Sequence, residues 1–200
     1  MPRAFKSMTP MMIPLALAAG LLAACETAPP TQRLPEMTFA HLSAFQVDAA
    51  RVQVENRFKD PLKAPHVEHL LPTAPAVALE QWAKDRVKAV GLNGTARLII
   101  EDARVTETAL ARDTSLKGKF TKQQSHRYDM AVRATLELRD AGGTLLAAAG
   151  ANASRSITAR EDISLNDREK LWFDTVGLLM KDFDREMDAN IRKYLARWLR

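Results

Sequence analysis

The sequence predicts an α+β fold: a two-layer sandwich in the order β-α-β-β-β-α, with about four strands, mostly antiparallel, and two helices on one face. Three observations carry this. Residues 126–140 alternate strictly, with Tyr128, Met130, Val132, Ala134, Leu136 and Leu138 on one side and Arg127, Asp129, Arg133, Thr135, Glu137 and Arg139 on the other. Period two with one apolar side means a sheet with one buried and one wet face. Two separate stretches instead carry apolar stripes at helical spacing, and an amphipathic helix must bury its stripe against another layer.

The first ordered element is Phe45 to Phe58. Phe45 and Val47 share one parity and Val52 and Val54 the other, so the faces flip at Ala49-Ala50. One extra residue does this, which predicts a bulge. Prolines 61, 65, 72 and 75 then make residues 59–75 a loop. Thr73 to Val90 reads as a helix, with Pro75 in the first turn, where its missing N–H costs nothing. Its stripe is Leu79, Trp82, Ala83, Val87 and Val90, and Gly91 is the expected stop.

Thr95 to Leu110 reads as a strand with a second parity switch after Ile100. Residues 111–126 are polar and basic and read as a long hairpin connection. His126 to Asp140 is the clean strand, and Asp140-Ala141-Gly142-Gly143 is a tight turn. Thr144 to Thr158 returns with Ala147, Ala149, Ala151 and Ala153, side chains small enough to let a helix approach closely. The last three strands form an antiparallel meander, and the first joins through a right-handed crossover.

The last helix runs from about Asp167 to Trp198. Ser164 before Asp167, or Asn166 before Glu169, offers a capping box. Trp172, Val176, Leu179, Phe183, Met187, Ile191, Tyr194 and Trp198 form its stripe. Arg192, Lys193, Arg197 and Arg200 complement its C-terminal dipole.

The 200 residues carry 29 Lys+Arg against 24 Asp+Glu, and one Cys. That composition excludes collagen-like, low-complexity and polytopic membrane classes. A single cysteine excludes an intramolecular disulfide and a thiolate zinc site. Residues 1–10 hold Arg3 and Lys6 and no acid, and 11–24 read MMIPLALAAGLLAA. A positive start, a short apolar run and small residues at its end make a secretory signal peptide, assigned to residues 1–24. Fourteen helical residues span about 21 Å, short of the roughly 30 Å hydrocarbon core.

Cys25 follows at once, in Leu22-Ala23-Ala24-Cys25. This run resembles the lipobox of bacterial lipoproteins. The resemblance implies a diacylglyceryl group on the Cys25 thiol, cleavage just before it, and acylation of the new amine. Two or more chains anchor stably, at about 0.8 kcal/mol per buried CH₂. Glu26, where Asp would favour inner-membrane retention, implies the periplasmic face of the outer membrane. Losing Arg3 and Lys6 takes the formal charge from +5 to +3. Residues 25–40 are expected to be the lipidated cysteine and a Pro-rich tether, and 41–200 a single domain.

Candidate chemistry is sparse. The sequence shows no nucleophile elbow, P-loop, dinucleotide fingerprint or HExxH, and no cofactor is expected. His66 and His69, with Glu68 between them, are the nearest approach to a metal site, but they lie in a proline-bracketed loop and read as a solvated or edge-packing pair. Arg112, Lys117, Lys119, Lys122 and Arg127 make a basic hairpin able to meet lipid head groups or an acidic partner. The exposed sheet face with Arg133 and Arg139 is the other candidate surface. Nucleic acid is not expected as a partner for an exported chain.

A lipobox followed by a small β-α-β-β-β-α domain is similar to outer-membrane accessory lipoproteins, such as those of lipopolysaccharide assembly or ABC-type lipid transport. The expected function is therefore a non-enzymatic, lipid-anchored subunit that binds an envelope protein or lipid. The alternatives are an envelope hydrolase or metal-dependent enzyme using His66, Glu68 and His69, or a stand-alone envelope-stability protein.

Overall fold

The computed structural model describes residues 34–111, 115 and 122–200. Cys25, Arg112, Lys117 and Lys119 lie outside the described residues, as do the signal segment and the first part of the tether. Residues 32–200 form one compact unit. It is an α+β fold built as the alternation predicts: a sheet with one buried face, and two helices on that face.

The strands are β1 (Phe45–Val47), β2 (Arg51–Asn56), β3 (Val87–Ala89), β4 (Thr95–Asp102), β5 (Val105–Ala109), β6 (Gln124–Arg139) and β7 (Leu145–Arg160). The helices are α1 (Pro75–Arg86) and α2 (Leu165–Tyr194). β2 lies parallel to β4, through a connection that contains α1. β4 and β5 pair with successive halves of β6, and β7 runs antiparallel along its other side. The main sheet thus has five strands in four rows, because β4 and β5 share one row.

Four boundaries differ from the sequence expectation. The parity flip at Ala49-Ala50 is not a bulge in one strand. The chain leaves a small parallel sheet, β1 with β3, and enters the main one. Thr95 to Leu110 likewise breaks at Ala103-Arg104, with a register shift against β6 between Ile100 and Asp102. The first helix stops at Arg86, not Val90, and Val87-Lys88-Ala89 pair with Phe45-Gln46-Val47 instead. Val87 is buried either way, so its place in the stripe could not distinguish the two outcomes, and tertiary pairing decided. Val90, the last expected stripe residue, is 40% exposed. The last helix ends at Tyr194, and a short 3-10 turn over Ala196–Trp198 follows.

Local chemistry explains the elements that match. Ser164 caps α2: its hydroxyl oxygen accepts from the Asp167 N–H at 3.1 Å. α2 lies along β7, whose inward Ala149 and Ala151 are buried beneath it. Asn190 of α2 donates to the Gly150 carbonyl at 2.7 Å. The core joins Trp82 of α1, Tyr128, Leu136 and Leu138 of β6, and Trp172, Phe183 and Met187 of α2, all buried. Trp82 meets Phe183 edge-on at 5.4 Å, and Tyr128 meets Trp172 at 5.2 Å. The C-terminus closes on β1, where the Arg200 N–H donates to the Gln46 carbonyl at 2.9 Å. The fold also reaches back before residue 41. Phe39 is buried, and the Asp85 carboxylate accepts from the Phe39 N–H at 2.8 Å and from the Thr38 hydroxyl at 3.0 Å.

Gly91 is not a helix stop but a point of close approach: a Cβ there would lie 2.7 Å from the Ala49 nitrogen. Gly94 is under a double constraint. Its φ is +78°, and a Cβ would fall on the Arg139 carbonyl oxygen. Gly94→Ala is expected to destabilise the domain by about 1–3 kcal/mol, from backbone strain and overpacking combined. Urea unfolding measures this, and an unchanged midpoint would show that the loop gives way freely.

Candidate binding site on the outer face of the sheet

The outward positions of β2, β4 and β6 fall into register across the sheet. Arg51, Thr95 and Arg139 make one row, and Gln53, Arg97 and Glu137 the next. Glu55 and Thr135 flank Ile99 in the third. Parity alone puts all of these on the wet face, opposite Val52, Ala96 and Leu138.

The charges on this face are interlocked. Arg97 donates to Glu137 at 2.9 Å and pairs with Glu55 at 3.2 Å. Arg139 donates to the same Glu137 oxygen at 2.8 Å and to the Gly143 carbonyl at 2.7 Å. Glu55 also accepts from Arg57 at 2.6 Å. The Arg139 hydrogen bond, with Arg97 behind it, holds the Glu137 carboxyl below the usual glutamate range. The Arg57 hydrogen bond does the same to Glu55. Arg51 is treated differently. Its Nε donates to the Thr95 hydroxyl at 3.1 Å, and among the described residues no carboxylate pairs with it.

This face borders a concavity of about 390 Å³ at the end of the sheet. Arg51, Arg97 and Arg139 line it, with the 92–94 loop on one rim and the 140–143 turn on the other. Gly143, at φ +86°, makes that turn possible. Asp140 holds it closed, accepting from the Thr144 N–H at 2.8 Å.

The other sequence candidates stand elsewhere. Lys122 pairs with Asp162 at 2.6 Å, and Arg127 with Asp129 at 2.9 Å, so both described cations of the basic hairpin carry acidic partners. Arg133 pairs with Glu101 at 3.0 Å. His66 and His69 do not converge. The His66 ring faces the buried Glu68 at 3.1 Å, while His69 faces Asp60 at 3.4 Å. Glu68 also accepts from the Val105 N–H at 3.4 Å, which ties this loop to β5. Among the described residues no group of three or more His, Cys, Asp or Glu side chains is placed to hold a metal ion.

Arg51 and Arg97 are the residues that sequence reasoning missed. Their outward parity was the available signal, but not their alignment with Arg139. That alignment depends on the β2–β4 register, which a long connection sets. No known protein family matches the chain, and no curated protein matches it.

Proposed function

We propose that this chain is a lipid-anchored lipoprotein of the bacterial cell envelope, on the periplasmic face of the outer membrane. Its domain binds an envelope protein or lipid and is not an enzyme. Leu22-Ala23-Ala24-Cys25, directly after a signal-like segment, is the observation that carries this reading. Eight residues, 26–33, separate Cys25 from the first described residue, Leu34. Two of them are proline. The domain carries an open, charged sheet face. The three-arginine concavity makes that face suited to an acidic partner surface or ligand.

Intact-mass spectrometry of the mature chain tests the anchor. A chain that begins at Cys25 with added acyl mass is expected. Cys25→Ser should move the protein from the membrane fraction to the soluble periplasm, since even one acyl chain supplies most of a weak membrane affinity and none would remain. An unmodified Cys25, or a serine variant that stays in the membrane fraction, would refute the reading.

A further inference from the structure

We propose that the concavity lined by Arg51, Arg97 and Arg139 is a binding site for a phosphate group. This names a ligand class for the binding domain proposed above, but it does not depend on the anchor. Three features support it. The arginines come from three adjacent strands, β2, β4 and β6, at residues in two neighbouring rows. Strands lie about 4.8 Å apart, so Arg51 and Arg139 start about 10 Å from each other with Thr95 between them. Side chains of that length can close from both sides on one group a few ångströms wide. A guanidinium fork matches the oxygen spacing of a phosphate, and several forks match a group with three free oxygens.

The second feature is charge. Glu137 is shared by Arg97 and Arg139, and Glu55 by Arg97 and Arg57. Asp140, at the rim, is engaged by a backbone N–H. Three guanidinium groups thus line the concavity with one carboxylate, Asp140, and Arg51 is the one of the three without an acidic partner among the described residues. The third feature is an unmet donor. The Arg97 Nε is buried and has no hydrogen-bond partner. A buried donor left unpaired costs free energy, which a small shift of the Arg97 side chain toward a ligand oxygen would recover.

The phosphate could be that of a lipid headgroup or a free phosphate, and the two are separable. The full mature chain, purified in neutral detergent, is titrated by amide NMR with inorganic phosphate and then with a short-chain, water-soluble phosphatidate. Chloride at equal ionic strength is the blank. The expected result is a saturable shift confined to the amides of the 92–97 and 139–143 segments. Arg51→Gln is expected to weaken binding about tenfold, the usual weight of one charge-assisted contact. Arg185→Gln, which removes an equal charge on α2, should leave binding unchanged. Phosphatidate binding at least about tenfold tighter than phosphate supports the site and assigns it to lipid headgroups. Equal affinity supports the site and assigns it to free phosphate. No saturable shift with either probe, or full affinity in Arg51→Gln, would overturn the proposal. Neither result would alter the mass of the N-terminus, so the anchor stands or falls separately.

Discussion

Asp184→Ala is expected to destabilise the domain by about 3–5 kcal/mol, the usual cost of removing one partner of a buried ion pair. Trp82 and Arg86 are one turn apart on α1, and Asp184 and Asp188 one turn apart on α2. The Asp184 carboxylate accepts from the Trp82 indole N–H and from the Arg86 Nε, both at 2.8 Å. Arg86 is only 4% exposed and sits over the Phe45 ring at 4.4 Å. Without Asp184, a buried guanidinium retains only the longer contact to Asp188, at 3.3 Å, and the indole N–H loses its acceptor. The cost is in leaving these donors dry and unpaired; the pair's own net contribution is smaller. Asp184→Asn keeps an acceptor and loses the charge, so it should fall between wild type and alanine. Urea titration with an unchanged m-value is the measurement. A loss under about 1 kcal/mol would mean that water reaches Arg86 freely, because exposed pairs contribute no more than that.

How far the fold could be read depended on whether the signal was local. β6 was legible along nearly its whole length, because alternating burial leaves one pattern per residue. The capped start of α2 was legible for the same reason: Ser164 and Asp167 are neighbours in the chain. The parity flips at Ala49-Ala50 and near Ala103 were visible as flips, but not as changes of sheet or breaks between strands. Nothing near residue 50 says that β1 will pair with residues 87–89. Val87 shows the same limit from the other side. Its burial satisfies a helical stripe and a parallel strand equally, so only the distant partner decides.

The candidate site failed to show in the sequence for a related reason. Arg139 was legible as a wet-face cation, because its strand alternates cleanly. Arg51 and Arg97 read only as charges within two unremarkable strands. Their convergence needs two registers at once, β2 on β4 and β4 on β6. The basic hairpin was legible as a charge run, but the partners of Lys122 and Arg127 were not. Asp162 lies 40 residues from Lys122, brought beside it by the pairing of β6 with β7. A charge run in sequence is thus weak evidence of free charge, and an isolated arginine on a regular strand can be the cation left over.

Phe183→Ala is expected to cost about 3–5 kcal/mol, in the range for emptying an aromatic site in a packed core. Phe183 has no exposed surface, and its ring meets the Trp82 ring edge-on at 5.4 Å and 83°. Such a pair adds about 0.5–1.5 kcal/mol beyond the area it buries. Phe183→Leu keeps most of the volume and should cost less than half as much. The informative experiment is the combination with Asp184→Ala, because both side chains hold the same indole. Phe183 packs against its ring, and Asp184 binds its nitrogen. Once Phe183 is gone, Trp82 can shift, and the hydrogen bond it makes to Asp184 is already weakened. The double variant should therefore lose less than the two single losses added together, by about 0.5–3 kcal/mol, the span seen for residues sharing a partner. Additivity within about 0.5 kcal/mol would mean that the two contacts act on Trp82 independently. In that case the α1–α2 interface would be two separate attachments, not one packed unit centred on the indole.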